Sequence, residues 1–272
     1  MIIGNKKFDL ENECYIMGIL NVTPDSFSDG GKWNDMDSAR KHVEAMITEG
    51  AAIIDVGGES TRPGYIHVSK EEEIERVVPI IEMVKKEFDV PVSVDTYKAY
   101  VAKAAVDAGA DLINDVWGFK GDADMAKIAA DCDVPCCIMH NRNVLENPYK
   151  NFLEDVMNDL RESIDMGIKA GVKPENIITD PGIGFAKDLN ENLYMMNYVE
   201  KLLELGYPVL LGTSRKSMIG KTLDLPVNER VEGTVATTVM GVMKGCSIIR
   251  VHDVKENYRA MKMTQAILNS RI

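Results

Sequence analysis

Eight short apolar runs alternate along the whole chain with longer amphipathic stretches, and no other feature of the sequence limits the fold as tightly. The runs read ECYIMGILNV, AAIIDVGG, VPVSVDT, DLINDV, VPCCIMH, NIITDPG, YPVLLGTS and CSIIRVHD. Near-continuous apolar segments of this length, rich in β-branched residues, suit strands buried on both faces, as in a parallel sheet. Between them apolar residues recur at helical spacing, as at Ile74, Val77, Val78, Ile81, Val84 and Phe88. Ser69 and Glu72 predict a capping box at the start of that helix, and Pro79 predicts a kink within it. Gly50, Gly109 and Gly206 stand where helices should end before the next strand. Eight strand–loop–helix units with no linker or low-complexity tract predict one α/β domain over residues 1–272, a (β/α)8 TIM barrel, with long loops after strands 1 and 2. A doubly wound sheet would call for a Gly-x-Gly-x-x-Gly after an early strand, and the chain has none. The 272 residues, 45% of them hydrophobic, are enough for such a barrel of about 250 residues.

Composition narrows the function. A net charge of −12 argues against a nucleic-acid partner, because phosphate neutralisation needs a basic face. Charges at Lys6, Lys7, Asp9, Glu11 and Glu13 leave no apolar leader, and no run approaches the ~18 residues of a membrane span, so a soluble cytoplasmic protein is expected. The five cysteines read as free thiols, with the adjacent Cys136 and Cys137 pointing to opposite sides of a strand. Cys132, Cys136 and Cys137 do not have the spacing of a closed zinc site.

Polar groups sit where the apolar runs stop: Asn21, Asp55, Asp95, Asn114, Asp115, His140, Asp180, Ser214 to Lys216, Arg250 and His252. In a barrel these strand ends share one rim, the active-site face. Singly, each could satisfy a turn or cap a helix. Together they predict a pocket. Two polar loops follow the first and second runs, NVTPDSFSDGG (Asn21 to Gly31) and GGESTRPG (Gly57 to Gly64).

With SVDT, IND, DPGIGF, TSRKS and RVHD, these loops form an ordered set across almost the whole chain that resembles the signature of the dihydropteroate synthases. That resemblance implies an enzyme joining a pterin that carries a pyrophosphate leaving group to p-aminobenzoate. A pterin presents adjacent N–H donors that match a carboxylate in the bidentate manner of a guanidinium. By the resemblance, Asp180 takes N3–H and the 2-amino group, Asn114 the neighbouring edge, and Asp95 lies by N8. Lys216 donates to O4 and N5, while Arg250 and Met139 pack on opposite faces of the ring. Asn21, Thr61, Arg62, Arg250 and His252 resemble the pyrophosphate site, with Asn21 also the Mg²⁺ contact. Pro63, Phe185 and Ser217 resemble the p-aminobenzoate contacts. Asp95, Lys216, Arg62 and His252 are the implied catalytic groups.

The chain departs from the usual pattern in three places. Ala186 precedes Lys187, and Glu191 precedes Asn192, where Gly and His are common; NRNVLENPY replaces a Gly-x-Pro segment after His140; and Trp117 stands where a smaller residue is usual, which is expected to narrow the rim. The rival readings are a methyltransferase using a methylated reduced folate and a non-catalytic pterin-binding paralogue. Intact NVTPDSFSDGG and ESTRPG loops and Lys216 weigh against both. A homodimer is the family expectation, and Val235, Val239, Met243, Met261 and Ile267 suit either an interface or the core.

Overall fold

A short hairpin, β1 (Ile2–Ile3) and β2 (Lys6–Lys7), leads into the eight apolar runs, and every one of these runs contains a strand. They are β3 (Tyr15–Asn21), β4 (Ile53–Gly57), β5 (Val92–Asp95), β6 (Leu112–Asp115), β7 (Cys136–Met139), β8 (Ile177–Asp180), β9 (Leu210–Leu211) and β10 (Ile248–Val251). The computed structural model describes residues 1–22, 31–59 and 67–270. Thr61, Arg62, Pro63 and most of the loop after Asn21 therefore lie outside the described residues.

All eight strands are parallel, in the spatial order β8-β7-β6-β5-β4-β3-β10-β9. A parallel bridge between Thr179 and Val209, with the Thr179 N–H donating to Pro208 O at 2.9 Å, joins the two ends and closes the barrel. Around it run α1 (Gly31–Glu49), α2 (Lys70–Glu87), α3 (Ala99–Asp107), α4 (Met125–Cys132), α5 (Phe152–Ala170), α6 (Leu189–Asn197), α7 (Ser217–Leu223), α8 (Val231–Met243) and α9 (Val254–Leu268).

The two-residue period of a strand sorts each run into two cores. Ile54, Val56, Val92, Val94, Ile113, Ile138, Ile177, Leu211, Ile249 and Val251 face outward and pack with the helices. Met17, Ile53, Leu112, Cys137, Ile178, Leu210 and Ile248 fill the barrel, joined by Ile3, Phe8 and Leu10 from the N-terminal segment. Cys136 and Cys137 fall in different cores, as alternation demands, and all five cysteines are free. Complete burial of each such aliphatic side chain stabilises the fold by ~1.5–3 kcal/mol. The next inward position on each strand, two residues on, is Ile19, Asp55, Asn114, Met139, Asp180, Gly212 or Arg250, so the interior turns polar toward the strand ends.

Local signals agree in detail, with one exception. Gly50, Gly109 and Gly206 adopt φ of +110°, +110° and +82°, the left-handed turn a side chain would resist. The Ser69 hydroxyl accepts the Glu72 N–H at 3.1 Å, but the Glu72 carboxylate turns to Arg76 at 2.5 Å, so only half of the capping box forms. The helix continues unbroken through Pro79.

The N-terminal hairpin plugs the far end of the barrel. Phe8 is 3% exposed, its ring edge-on to Tyr15 with centroids 4.8 Å apart, and the Ser247 hydroxyl donates to Leu10 O at 2.6 Å. Phe8→Ala should therefore destabilise the protein by about 3–5 kcal/mol. Urea denaturation would show this as a lower midpoint with an unchanged slope, and a loss below ~1 kcal/mol would mean the plug is dispensable to the barrel.

Candidate functional site

At the polar layer, Asp55, Asp95, Asn114 and Arg250 form one connected group. Arg250 donates from Nε to Asp55 Oδ2 at 2.5 Å and from Nη2 to Asp95 Oδ2 at 2.5 Å. Asn114 Nδ2 donates to the same Asp55 oxygen at 3.3 Å. Register brings them together, since Asp55 pairs with Ser93, Asp95 with Asn114, and Arg250 lies two residues after Ile248 in the same inward phase. Burial raises the Asp95 carboxyl above its ordinary value, and the Arg250 charge works against that rise. For Arg250, burial favours loss of the proton, but Asp55 and Asp95 outweigh it and hold the guanidinium firmly charged. In this layer the buried Asp55 Oδ1, Asp95 Oδ1 and Ser93 Oγ have no hydrogen-bond partner among the described residues. Such groups are costly unless something completes them, and here they belong to the polar layer at the strand ends.

Asp180 and Lys216 complete the layer. Asp180 is 5% exposed, and its Oδ1 accepts the Gly182 N–H at 2.7 Å, an Asx turn that fixes the carboxylate. Burial raises its pKa, and Lys216 opposes this. The Lys216 ammonium donates to Ile183 O and lies 4.8 Å from the centre of the Phe185 ring. Burial lowers Lys216 to about 8, with Asp180 pulling the other way. Ser217 is the first residue of α7, directly after Lys216 as its N-cap. Met139 ends β7, buried and in the inward phase.

At the edge of the site, Ser214 Oγ accepts the His252 N–H at 3.1 Å and lies 3.0 Å from His252 Nδ1. Asn21 Nδ2 approaches His252 Nε2 at 3.5 Å, so the ends of β3 and β10 meet there. The structure thus brings together Asn21, Asp95, Asn114, Met139, Asp180, Phe185, Lys216, Ser217, Arg250 and His252. Among the described residues no group of three or more His, Cys, Asp or Glu side chains could hold a metal, Cys132, Cys136 and Cys137 included.

Two strand-end groups turn away. Asp115, out of phase with Asn114, accepts the N–H groups of Trp117 at 2.8 Å and Phe119 at 2.6 Å and shapes the following turn, with Trp117 lying against Gly121. His140 lies behind the pocket, beside Asp159 at 3.0 Å. The segment after it is tied down by Arg142, which bonds Asp159 from Nε at 2.7 Å and stacks 4.6 Å over Tyr149.

Other residues matter that the sequence did not single out. Asp55 was visible only as a strand end, yet it joins Arg250 to Asn114. Arg230 donates to Arg215 O at 2.9 Å and Leu225 O at 2.9 Å, while Arg215, at φ +57°, pairs with Asp253 at 2.9 Å. These bonds hold the segment that presents Lys216. Lys98 donates to Glu59, to Glu73 at 2.6 Å and to Val68 O at 2.6 Å, tying both ends of the second loop. Asp55 and Arg215 stood among the strand-end polar groups of the sequence, and no local signal marked Arg230 or Lys98.

A family model described as pterin binding enzyme matches residues 17–252. The chain is 65% identical over 269 residues to a dihydropteroate synthase of Clostridium beijerinckii, covering 98% of this chain and 99% of that one. It is 58% identical to the Bacillus subtilis dihydropteroate synthase, covering 95% and 90%. Among solved structures, the Clostridium difficile dihydropteroate synthase determined with pteroic acid superposes with a TM-score of 0.93 at 49% identity over 97% of this chain and all of that one. The Xanthomonas albilineans dihydropteroate synthase with 4-aminobenzoic acid gives 0.91 at 39% identity, over 96% and 95%.

The depressed Lys216 supplies a test of the site's electrostatics. Its folded value of about 8 lies below the ordinary 10.5, so between these the unfolded chain binds more protons and stability rises with pH. Below about 8 the cost of the buried charge is felt in full. The stability of the wild type relative to Lys216→Met should therefore be level below pH ~8 and climb from there to pH ~10.5. A difference from urea titrations that stays level throughout would show that the ammonium is not desolvated.

Proposed function

The chain belongs to the dihydropteroate synthase family, and from that premise we propose that it condenses 6-hydroxymethyl-7,8-dihydropterin pyrophosphate with p-aminobenzoate, giving 7,8-dihydropteroate and pyrophosphate. The observation that carries this reading is the buried polar layer, with two carboxylate oxygens, of Asp55 and Asp95, left without a partner among the described residues. A flat heterocycle bearing N–H donors on one edge completes such a layer, and a purely apolar ligand would leave it unsatisfied.

Within this reading Asp180 accepts from N3–H and the 2-amino group, and Asn114 meets the neighbouring edge. Lys216 donates to O4 and N5. Arg250 flanks one ring face with Met139 on the other, and its bonds to Asp55 and Asp95 fix its position. Breaking the bond between the exocyclic methylene and the pyrophosphate oxygen sends the electron pair out with pyrophosphate and leaves a cation that the ring delocalises toward N8. Asp95 stands by N8, a negative group where positive charge develops. The amine of p-aminobenzoate then attacks the methylene and releases its proton, an SN1-like course in which orientation and exclusion of water matter more than a strong base. Asn21 and His252, with Thr61 and Arg62 of the second loop, receive pyrophosphate. Phe185, Pro63 and Ser217 receive p-aminobenzoate.

The Asn21 side chain turns its amide nitrogen to His252, and its oxygen, a hard neutral donor, fits Mg²⁺, which keeps most of its waters and needs few protein ligands when phosphate oxygens are present. Bound there, Mg²⁺ would neutralise charge gathering on the leaving group. Five free cysteines, four of them buried, support a cytoplasmic location. A homodimer is supported by Met243, Met263 and Ile267, each 59–63% exposed along α8 and α9; Met261, at 3% exposed, belongs to the core. Among the described residues no helix is long and apolar enough to cross a membrane.

The deciding assay follows pyrophosphate and dihydropteroate together. Both should appear in equal amounts, only when p-aminobenzoate and Mg²⁺ are present. Methyl transfer from a reduced folate without pyrophosphate turnover would overturn the reading, and pterin binding without either reaction would favour the non-catalytic one. Asp180→Asn places a donor against the ring's donors and should weaken pterin binding by ~1.4–3 kcal/mol or more, about tenfold or above. Wild-type affinity by calorimetry would remove Asp180 from the pterin edge.

A further inference from the structure

Directly after Asp180 the chain makes a turn that is sterically demanding and is held by one buried ammonium. Gly182, Gly184 and Ala186 take φ of +68°, +84° and +51°. A Cβ at Gly182 would lie 2.0 Å from His140 O, and a left-handed alanine costs about 1–2 kcal/mol. Something must hold this turn in shape. Lys187 Nζ lies 2.8 Å from His140 Nδ1, 3.0 Å from Gly182 O and 3.1 Å from Phe185 O. An ammonium has three N–H donors, and these acceptors use all of them.

We propose that Lys187 is a positioning residue that sets Asp180 and Phe185 together, by closing the turn between them and locking it to His140, Asp159 and α5. The proposal rests on the substrate assignments of Asp180 and Phe185 made above. Because Lys187 donates to Nδ1, the neutral imidazole of His140 must carry its proton on Nε2, where it donates to Asp159 Oδ2 at 3.0 Å. Asp159 is fixed in turn by Arg142 Nε at 2.7 Å. From the other side, Asn192 of α6 accepts the Gly184 N–H at 2.6 Å and donates to Lys187 O at 3.1 Å.

The electrostatics set the pH range of this geometry, because Lys187 supplies three donors only while it keeps its proton. Burial, then the Lys187 charge, lowers His140 to about 4, so the ring stays neutral. Burial lowers Lys187 to about 7, with Asp180, Glu191 and Asp159 favouring its charge and Lys216 opposing it. One turn thus carries a contact for each substrate, Asp180 for the pterin and Phe185 for p-aminobenzoate. Its two backbone acceptors share a single donor, so loosening that donor disturbs both ends.

Two measurements test the assignment. In the wild type, ¹⁵N NMR of labelled histidine should show His140 neutral with its proton on Nε2 at about pH 5.5, above the value of about 4 for His140 and below that of about 7 for Lys187; an imidazolium or an Nδ1–H tautomer there would overturn the proposal, whatever the roles of Asp180 and Phe185. Lys187→Met should let His140 titrate at higher pH and raise KM for both substrates about tenfold, with kcat changed by less than about threefold. Asp159→Asn, at the far end of the relay, should raise both KM values in the same direction by a smaller factor, and it carries the kinetic test if Lys187→Met does not fold. Lower thermal stability with both KM values unchanged, in whichever variant folds, would reduce Lys187 to a structural role. A rise in KM for the pterin alone would equally overturn the joint positioning of the two contacts.

Discussion

The buried contact of Arg250 with Asp55 and Asp95 is the interaction on which the rest of the site depends. Isolated charges inside a barrel would be prohibitive, so the guanidinium and its two carboxylates tolerate burial only together. Replacing such a group by well-packed apolar residues would often be as stable or more so. Its presence across three strands, β4, β5 and β10, therefore reflects function: it holds a flat cation and two acceptors in fixed positions where a polar ring can meet them. The protein's dipoles are oriented before the substrate arrives, which is how electrostatic stabilisation avoids a reorganisation cost during reaction.

The closed barrel makes this arrangement feasible. Its lower interior is apolar and sealed by Phe8, Leu10 and Ile3, which keeps water from approaching the charged layer from beneath. Parallel strands in register set Asp95 beside Asn114 and Met139 beside Asp180 with no help from loops. On the proposed reading, the contacts to the pterin stand on strand ends, which are the rigid part of the fold. Arg230, Lys98 and Lys187 extend the same design outward. Each uses a cation to hold backbone carbonyls of the segment that carries the next functional residue.

Departures from the family pattern fall in this supporting layer. Ala186 sits in a left-handed conformation that glycine would adopt without strain, and the Lys187 bonds lie beside it. The NRNVLENPY segment is anchored by Arg142 between Asp159 and the Tyr149 ring, so the stretch after His140 is fixed by charge and stacking where a Gly-x-Pro would rely on backbone restriction.

The sequence by itself determined the barrel and its eight strands, because apolar runs alternate with helical spacing along the whole chain; which residues of each run face inward was not legible, since strands buried on both faces show no polar alternation. Ordered motifs also pointed to the family. The N-terminal hairpin escaped notice, since strands of two residues carry no period and are held by long-range burial of Phe8 and Leu10. Ser69 was legible as a cap, but the destination of the Glu72 carboxylate was not, because Arg76 one turn along the same helix competes for it. Only the tertiary structure decided that Asp55 and Asp95 grip one guanidinium, that His140 turns away from the pocket, and that Lys187 meets a ring 47 residues distant in the chain. Those outcomes depend on partners from strands and helices far apart in sequence, where distance and desolvation select among many possible charge pairs and local pattern carries no information about the choice.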